Sequence, residues 1–215
     1  MNMTVSTMRC CRNRLRALLV GLLLSFASFL AWAADISVRH PQLAIGDEGY
    51  VLAADFNLSL NPRLEDAVAR GVALYFVVEF ELSRSRWYWL DEQVAARTQS
   101  FQLSYHALTR QYRLSSGALH QSFPSLDDAL RILARLRNWQ VVEKGGLRAD
   151  QTYFASLRMR LDLTQMPKTF QVSALANRDW NLSAEWARWQ FTAGDLPVAG
   201  ASGGSVASPA GGDGR

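Results

Sequence analysis

The sequence predicts a mainly β fold: an antiparallel β-sheet or sandwich with two short helices, folded as a single domain, with an α+β arrangement as the alternative. Three observations carry this. Apolar and polar residues alternate with period two in stretch after stretch between residues 52 and 191. Only two segments carry helix signals. No Pro/Gly-rich linker and no internal repeat interrupts residues 35–192, a span long enough for one real core.

In chain order, the first element is a leader. Arg9, Arg12, Arg14 and Arg16 precede an uncharged stretch over residues 17–30 dominated by Leu, Val, Phe and Ala. Ala31-Trp32-Ala33 follows as a small-x-small cleavage site, with Ala34 as the new N-terminus. Residues 1–33 therefore read as a secretory signal peptide and the mature protein as periplasmic. An uncleaved anchor is the alternative, since the uncharged run approaches the roughly 17–25 residues a spanning helix needs. After cleavage no transmembrane helix is expected.

Removing the leader changes the chemistry of the remainder. Cys10 and Cys11 are the two cysteines of the chain and both lie in it. The mature chain then has no disulfide, no thiolate nucleophile and no Cys-ligated metal. The full chain has 23 Lys+Arg against 19 Asp+Glu, and the leader takes four bases and no acid, which leaves 19 against 19. The basic character belongs to the precursor, so no nucleic-acid partner is expected.

The first clear strand places Leu52, Ala54, Phe56, Leu58 and Leu60 on one face. Asn61-Pro62 opens a helix through Arg70, with Pro62 in its first turn and Gly71 past its end. Val72, Leu74, Phe76, Val78, Phe80 and Leu82 form one face of the next strand. Its other face begins apolar (Ala73, Tyr75, Val77) and ends acidic (Glu79, Glu81), as in a strand whose first half is buried on both sides. Phe101, Leu103, Tyr105 and Ala107 alternate with polar residues, and Leu108-Thr109-Arg110 turns the chain into Tyr112 and Leu114 as a hairpin.

Ser125 caps the second helix, with Asp128 as its capping-box partner. Leu126, Ala129, Leu130, Leu133 and Leu136 are its apolar stripe, with Arg131, Arg135 and Arg137 on the same helix. Tyr153, Ala155, Leu157, Met159, Leu161 and Leu163 oppose Ser156, Arg158, Arg160 and Asp162 in the longest amphipathic strand. A last strand covers residues 180–191. Residues 193–215 are mostly Gly, Ala, Ser, Pro and Val with almost no large side chain and read as a disordered tail. Gly200-Ala201-Ser202-Gly203-Gly204 matches a nucleophile-elbow pattern there, but no strand precedes it and no helix follows, so it carries no catalytic reading.

Several stretches resemble a known family. They are Arg86-Trp87-Tyr88-Trp89-Leu90-Asp91, Leu103-Ser104-Tyr105, Leu108-Thr109-Arg110-Gln111-Tyr112-Arg113-Leu114 and Phe123-Pro124-Ser125-Leu126. Further on are Arg158-Met159-Arg160-Leu161-Asp162, Met166-Pro167-Lys168 and Arg178-Asp179-Trp180-Asn181-Leu182, with Trp186 and Trp189. Together they resemble an uncharacterised family of proteobacterial exported proteins, domain of unknown function 4390. The resemblance covers nearly all of residues 35–192 and implies a bacterial periplasmic protein. It implies no activity, cofactor or catalytic residue.

No catalytic set, metal site or cofactor motif stands out from the residues. His40, His106 and His120 lack metal-ligand spacing, and His106 falls on the polar face of its strand. Glu79 and Glu81 share a strand face about 7 Å apart, a spacing at which carboxylates do acid–base work on sugars; a solvated strand end is the plainer reading. The Trp-rich segment is the most informative local feature. Trp87 and Trp89 share one face and Arg86 and Tyr88 the other. They form either an aromatic platform for a glycan, lipid headgroup or partner chain, or rings filling a β core.

Charge is uneven along the chain. Residues 34–83 carry 8 acids and 3 bases, and residues 84–189 carry 15 bases and 9 acids. Arg110, Arg113, Arg131, Arg135, Arg137, Arg158 and Arg160 would make an anion-binding face if they converge; otherwise the two halves neutralise each other. The expectation is a non-enzymatic binding or interaction module of the cell envelope. It would use Arg86, Trp87, Tyr88 and Trp89 with Arg110, Arg113, Arg158 and Arg160 to contact an envelope or inner-membrane protein. The alternative is an enzyme acting on envelope glycan or lipid through Glu79, Glu81 or His106.

Overall fold

Alternation along the chain becomes nine strands among the described residues, which in the computed structural model are 36–85, 92–168, 170–171 and 180–199. The leader with its expected cleavage point at Ala33 and Ala34, the segment Arg86, Trp87, Tyr88 and Trp89, and residues 200–215 lie outside them. The strands are β1 (Ile36–Ile45), β2 (Gly49–Leu58), β3 (Leu74–Arg84), β4 (Glu92–His106), β5 (Gln111–Ser116), β6 (Leu119–Phe123), β7 (Arg135–Glu143), β8 (Thr152–Leu161) and β9 (Ala187–Thr192). Helix α1 (Pro62–Ala69) lies between β2 and β3, and α2 (Leu126–Leu133) between β6 and β7.

The strands form two antiparallel sheets. One has the order β1-β2-β7, the other β6-β5-β4-β3-β8-β9. Among the described residues the fold is mainly β, with α1 and α2 as its two short complete helices, in a single domain, as the alternation implies. Leu74, Phe76, Val78, Phe80 and Leu82 are all fully buried on one face of β3. Their neighbours on β8, from Tyr153 to Leu161 at every second residue, are buried with them. From the three-stranded sheet come Leu43, Leu52, Ala54, Phe56, Leu136 and Val141. All join one cluster, and the Trp139 ring on β7 meets Phe80 on β3 edge-on at 6.4 Å. Each large apolar side chain so buried contributes about 1.5–3 kcal/mol relative to exposure.

The helix signals translate directly. Asn61 Oδ1 accepts a hydrogen bond from Leu64 N at 2.9 Å, Pro62 starts α1 without needing an amide partner, and Leu64, Ala67 and Val68 are buried. Ser125 Oγ accepts from Asp128 N at 3.1 Å and donates to Asp128 Oδ2 at 2.6 Å.

Three expectations need correction. Helix α2 ends at Leu133, so Leu136, Arg135 and Arg137 belong to β7. Ala134 N still bonds Leu130 O, but Ala134 O accepts from Phe56 N at 2.8 Å, and Arg135 then pairs with Asp55 on β2. The stripe position of Leu136 was compatible with both readings; the open backbone of β2 decides for the strand. The last strand starts at Ala187, later than residue 180. Ahead of it, Leu161 N bonds Leu182 O at 2.7 Å and Ala184 N bonds Met159 O at 2.8 Å, so residues 182–184 share the β8 edge without being part of β9.

Residues 193–199 are also ordered. Ile45 N donates to Pro197 O at 2.8 Å, and Ala199 N donates to Ile45 O at 2.7 Å. The backbone of a small-residue segment thus adds to the end of β1, which composition does not reveal.

Candidate functional site: the outer face of the six-stranded sheet

Directly paired residues of an antiparallel sheet point to the same face. In the six-stranded sheet most of the apolar set faces the core, and the opposite set forms an outer face mainly of hydroxyls, amides and charges, which also carries buried Val77 and exposed Phe154. Its rows follow the register: Tyr75 beside Gln102 and Ser115, Glu79 between Arg158 and Thr98, and Glu81 between Ser156 and Ala96. Gln102 Nε2 donates to Tyr75 Oη at 3.2 Å, and His120 Nδ1 lies 2.7 Å from Ser115 Oγ. Thr98, Ser100 and Ser122 are exposed, as are Arg113 and Arg188.

The charged centre of this face is a network between β3 and β8. Arg158 Nε donates to Glu79 Oε2 at 2.6 Å, and Arg160 Nε donates to Glu79 Oε1 at 3.0 Å. One carboxylate thus joins two guanidiniums. Arg158 also lies over the Trp186 ring, 4.3 Å from its centroid, a cation–π contact. Arg160 extends to Asp162 at 3.7 Å. Asp162 is buried and accepts from Thr164 N, Thr164 Oγ1 and Gln165 Nε2 at 3.2, 2.7 and 3.0 Å, which fixes the 3-10 turn Leu163–Gln165.

Burial alone would raise both carboxyl pKa values, and it is the largest single influence on each. For Glu79 the hydrogen bonds and charges of Arg158 and Arg160 together outweigh it, so the pKa lies below its usual 4.5. For Asp162 the bonds from Thr164 and Gln165, with the charge of Arg160, hold it below 3.8. Both are carboxylates at neutral pH with their lone pairs committed. Neither is poised as a general acid.

Of the eight arginine and aromatic positions singled out from sequence, the four that are described, Arg110, Arg113, Arg158 and Arg160, do not converge on one site. Arg158 and Arg160 come together, but around Glu79 rather than around an open anion pocket. Arg113 stands on the same outer face on β5, separated from them by β4 and β3. Arg110 is in the β4–β5 turn with φ 52°. Arg86, Trp87, Tyr88 and Trp89 lie outside the described residues. The candidate acid–base groups are also apart. Glu79 is held by two arginines, Glu81 is exposed, and His106 is at the far turn with Nδ1 3.1 Å from Thr109 Oγ1.

Sequence reasoning missed Asp162 and Trp186 as members of the network. Glu79 and Arg158 are 79 residues apart in the chain. Each sits on the polar face of its own strand, but only the β3–β8 register shows that they are neighbours. Among the described residues no group of three or more His, Cys, Asp or Glu is placed to hold a metal ion. No described helix is long and apolar enough to cross a membrane.

Comparison with known proteins gives one match. The family model described as a domain of unknown function (DUF4390) covers residues 33–190. No curated protein and no solved structure is significantly similar.

Proposed function

The chain belongs to the DUF4390 family, whose description assigns no activity, and we propose from its geometry that it is a binding module of the cell envelope that presents the outer face of its six-stranded sheet to a protein partner. The leader motivates the compartment: residues 1–33 would direct export and be removed, leaving the domain in the periplasm. The observation that carries the binding reading is the face itself. A broad sheet surface keeps Thr98, Ser100 and Arg113 exposed, while its central carboxylate is saturated by Arg158 and Arg160. Such a surface offers many hydrogen bonds to a partner and no free acid–base pair. Glu79, Glu81 and His106, the groups an enzyme on glycan or lipid would use, are not gathered in one cleft.

The test is capture from an envelope extract on the immobilised protein, repeated with Thr98→Glu and Ser100→Glu together. These exposed changes leave the core untouched. A partner retained by the parent chain and lost by the folded double variant is the expected result. Equal retention by both would refute the face as the contact surface.

A further inference from the structure

Each sheet edge in a β protein presents unpaired backbone groups, and folds protect them with bulges, prolines, charges or a covering segment. Three of the four edges here show such protection. β1 carries a register break between Arg39 and Gln42, containing His40 at φ 46° and Pro41, and residues 197–199 hydrogen-bond to its end. β7 has two register breaks against β2, with Asn138 at φ 52° in one of them. β9 bears Arg188. The fourth edge, β6 (Leu119–Phe123), is LHQSF, and its only protection is its length of 5 residues. It has no Asp, Glu, Lys, Arg or Pro, and its register with β5 is unbroken. Leu119 at its start is 77% exposed.

The geometry of the β5–β6 hairpin says which backbone groups point outward. Gly117 at φ 58° and Ala118 form a two-residue turn between the paired residues Ser116 and Leu119, and glycine at the first turn position is the type II′ arrangement. A two-residue hairpin makes its closing pair a hydrogen-bonded one, and such pairs alternate along the ladder. Leu119, Gln121 and Phe123 therefore bond to β5. The N–H and C=O groups of His120 and Ser122 point away from the sheet.

We infer that β6 pairs antiparallel with β6 of a second copy, about a two-fold axis at Gln121, joining two six-stranded sheets edge to edge. In that register His120 of each copy faces Ser122 of the other, and all outward groups are satisfied in four hydrogen bonds. On the core-side face, exposed Leu119 of each copy lies beside Phe123 of the other. Shifting the axis to Ser122 would pair His120 with Pro124, which has no N–H; shifting it to His120 would pair Ser122 with Ala118, inside the turn. Self-complementarity of the strand thus selects one register, a constraint that an arbitrary peptide occupant does not explain. The strand brings only 5 residues of each copy to the contact, against roughly 20–30 residues a side in a standard interface. The dimer is accordingly weak and depends on concentration. This inference uses a different surface from the proposed partner face and stands independently of it.

Sedimentation velocity over a wide concentration range tests association, and Gln121→Cys tests the register. Residues facing each other across a non-hydrogen-bonded pair have Cα atoms about 4.5 Å apart, within disulfide range. With Cys10 and Cys11 replaced by serine, Gln121→Cys is expected to form an oxidised dimer, and Thr98→Cys on the open face is not. Ser122→Pro removes an outward N–H from each copy while keeping the hairpin bonds, and should weaken association at least about tenfold. Circular dichroism checks that this variant folds; Gln121→Lys, which sets two ammonium groups across the axis, tests the same edge without proline and should be partly rescued by salt. A chain that stays monomeric at all concentrations and does not crosslink at position 121 overturns the inference. So does a dimer that withstands both substitutions.

Discussion

Glu79 shows at the scale of one residue how the outer face is held. Its side chain is only 18% exposed, yet it is charged, because two guanidiniums reach it from the adjacent strand. Removing the charge leaves Arg158 and Arg160 half-buried and short of a partner, the expensive case for an ion pair. Glu79→Gln is expected to lower unfolding free energy by about 1–3 kcal/mol in urea titration. The pH dependence has a definite sign. The native pKa lies below the usual 4.5, so between the two values the unfolded chain binds more protons. The contribution of Glu79 is complete above that value and is lost as pH falls through the native pKa. Asp162 adds a loss of the same sign beginning lower, from 3.8 downward. Glu79→Gln should therefore flatten the acid limb of the stability curve while retaining the part due to Asp162. An unchanged limb would mean that the pairing does not stabilise the fold.

At the scale of elements, Gly49 at the start of β2 is a point where the backbone admits no side chain. A Cβ placed there would lie 2.2 Å from Val142 O on β7, at a φ of 154°. Relief would have to come from strand backbone rather than from a flexible side chain. Gly49→Ala is expected to cost more than about 2 kcal/mol, read as a lower denaturation midpoint without loss of cooperativity. A midpoint equal to the parent's would contradict a close backbone approach at the β2–β7 junction. The same scale shows what the sequence discloses. β3 and β8 were readable because one face of each is buried along its whole length, so alternation is clean. Both helices were readable from Asn61-Pro62 and Ser125. β1 is not legible, because His40 and Pro41 interrupt its period, and β6 is not, because it lies at an edge with exposed residues on both faces. β7 was hidden twice: Leu136 continues the helical stripe of α2, and bulges break the strand's alternation. The candidate site was legible only as polar faces of separate strands. Its assembly depends on long-range register, and the Trp87 and Trp89 positions lie outside the described residues.

For the whole molecule, some acids of the first half of the chain meet bases of the second across the fold. Asp55 pairs with Arg137 at 2.5 Å, and Glu79 with Arg158 and Arg160, each joining an acid of the first half to a base of the second. The two sheets also share one core, so they should unfold together. Phe80 is fully buried and touches Trp139 of one sheet and Trp189 of the other. Phe80→Ala is expected to cost about 3–5 kcal/mol and to shift Trp fluorescence and far-ultraviolet circular dichroism equally. Separate midpoints for the two probes would mean that the sheets are independent.

The contact surface is tested most directly inside living cells, by placing a photo-crosslinking amino acid at Ser100 on the open face and, as a control, at exposed Asn57 on the smaller sheet. The account predicts a discrete adduct from position 100 that is absent from position 57. No adduct at 100, or the same adduct from both positions, would contradict it.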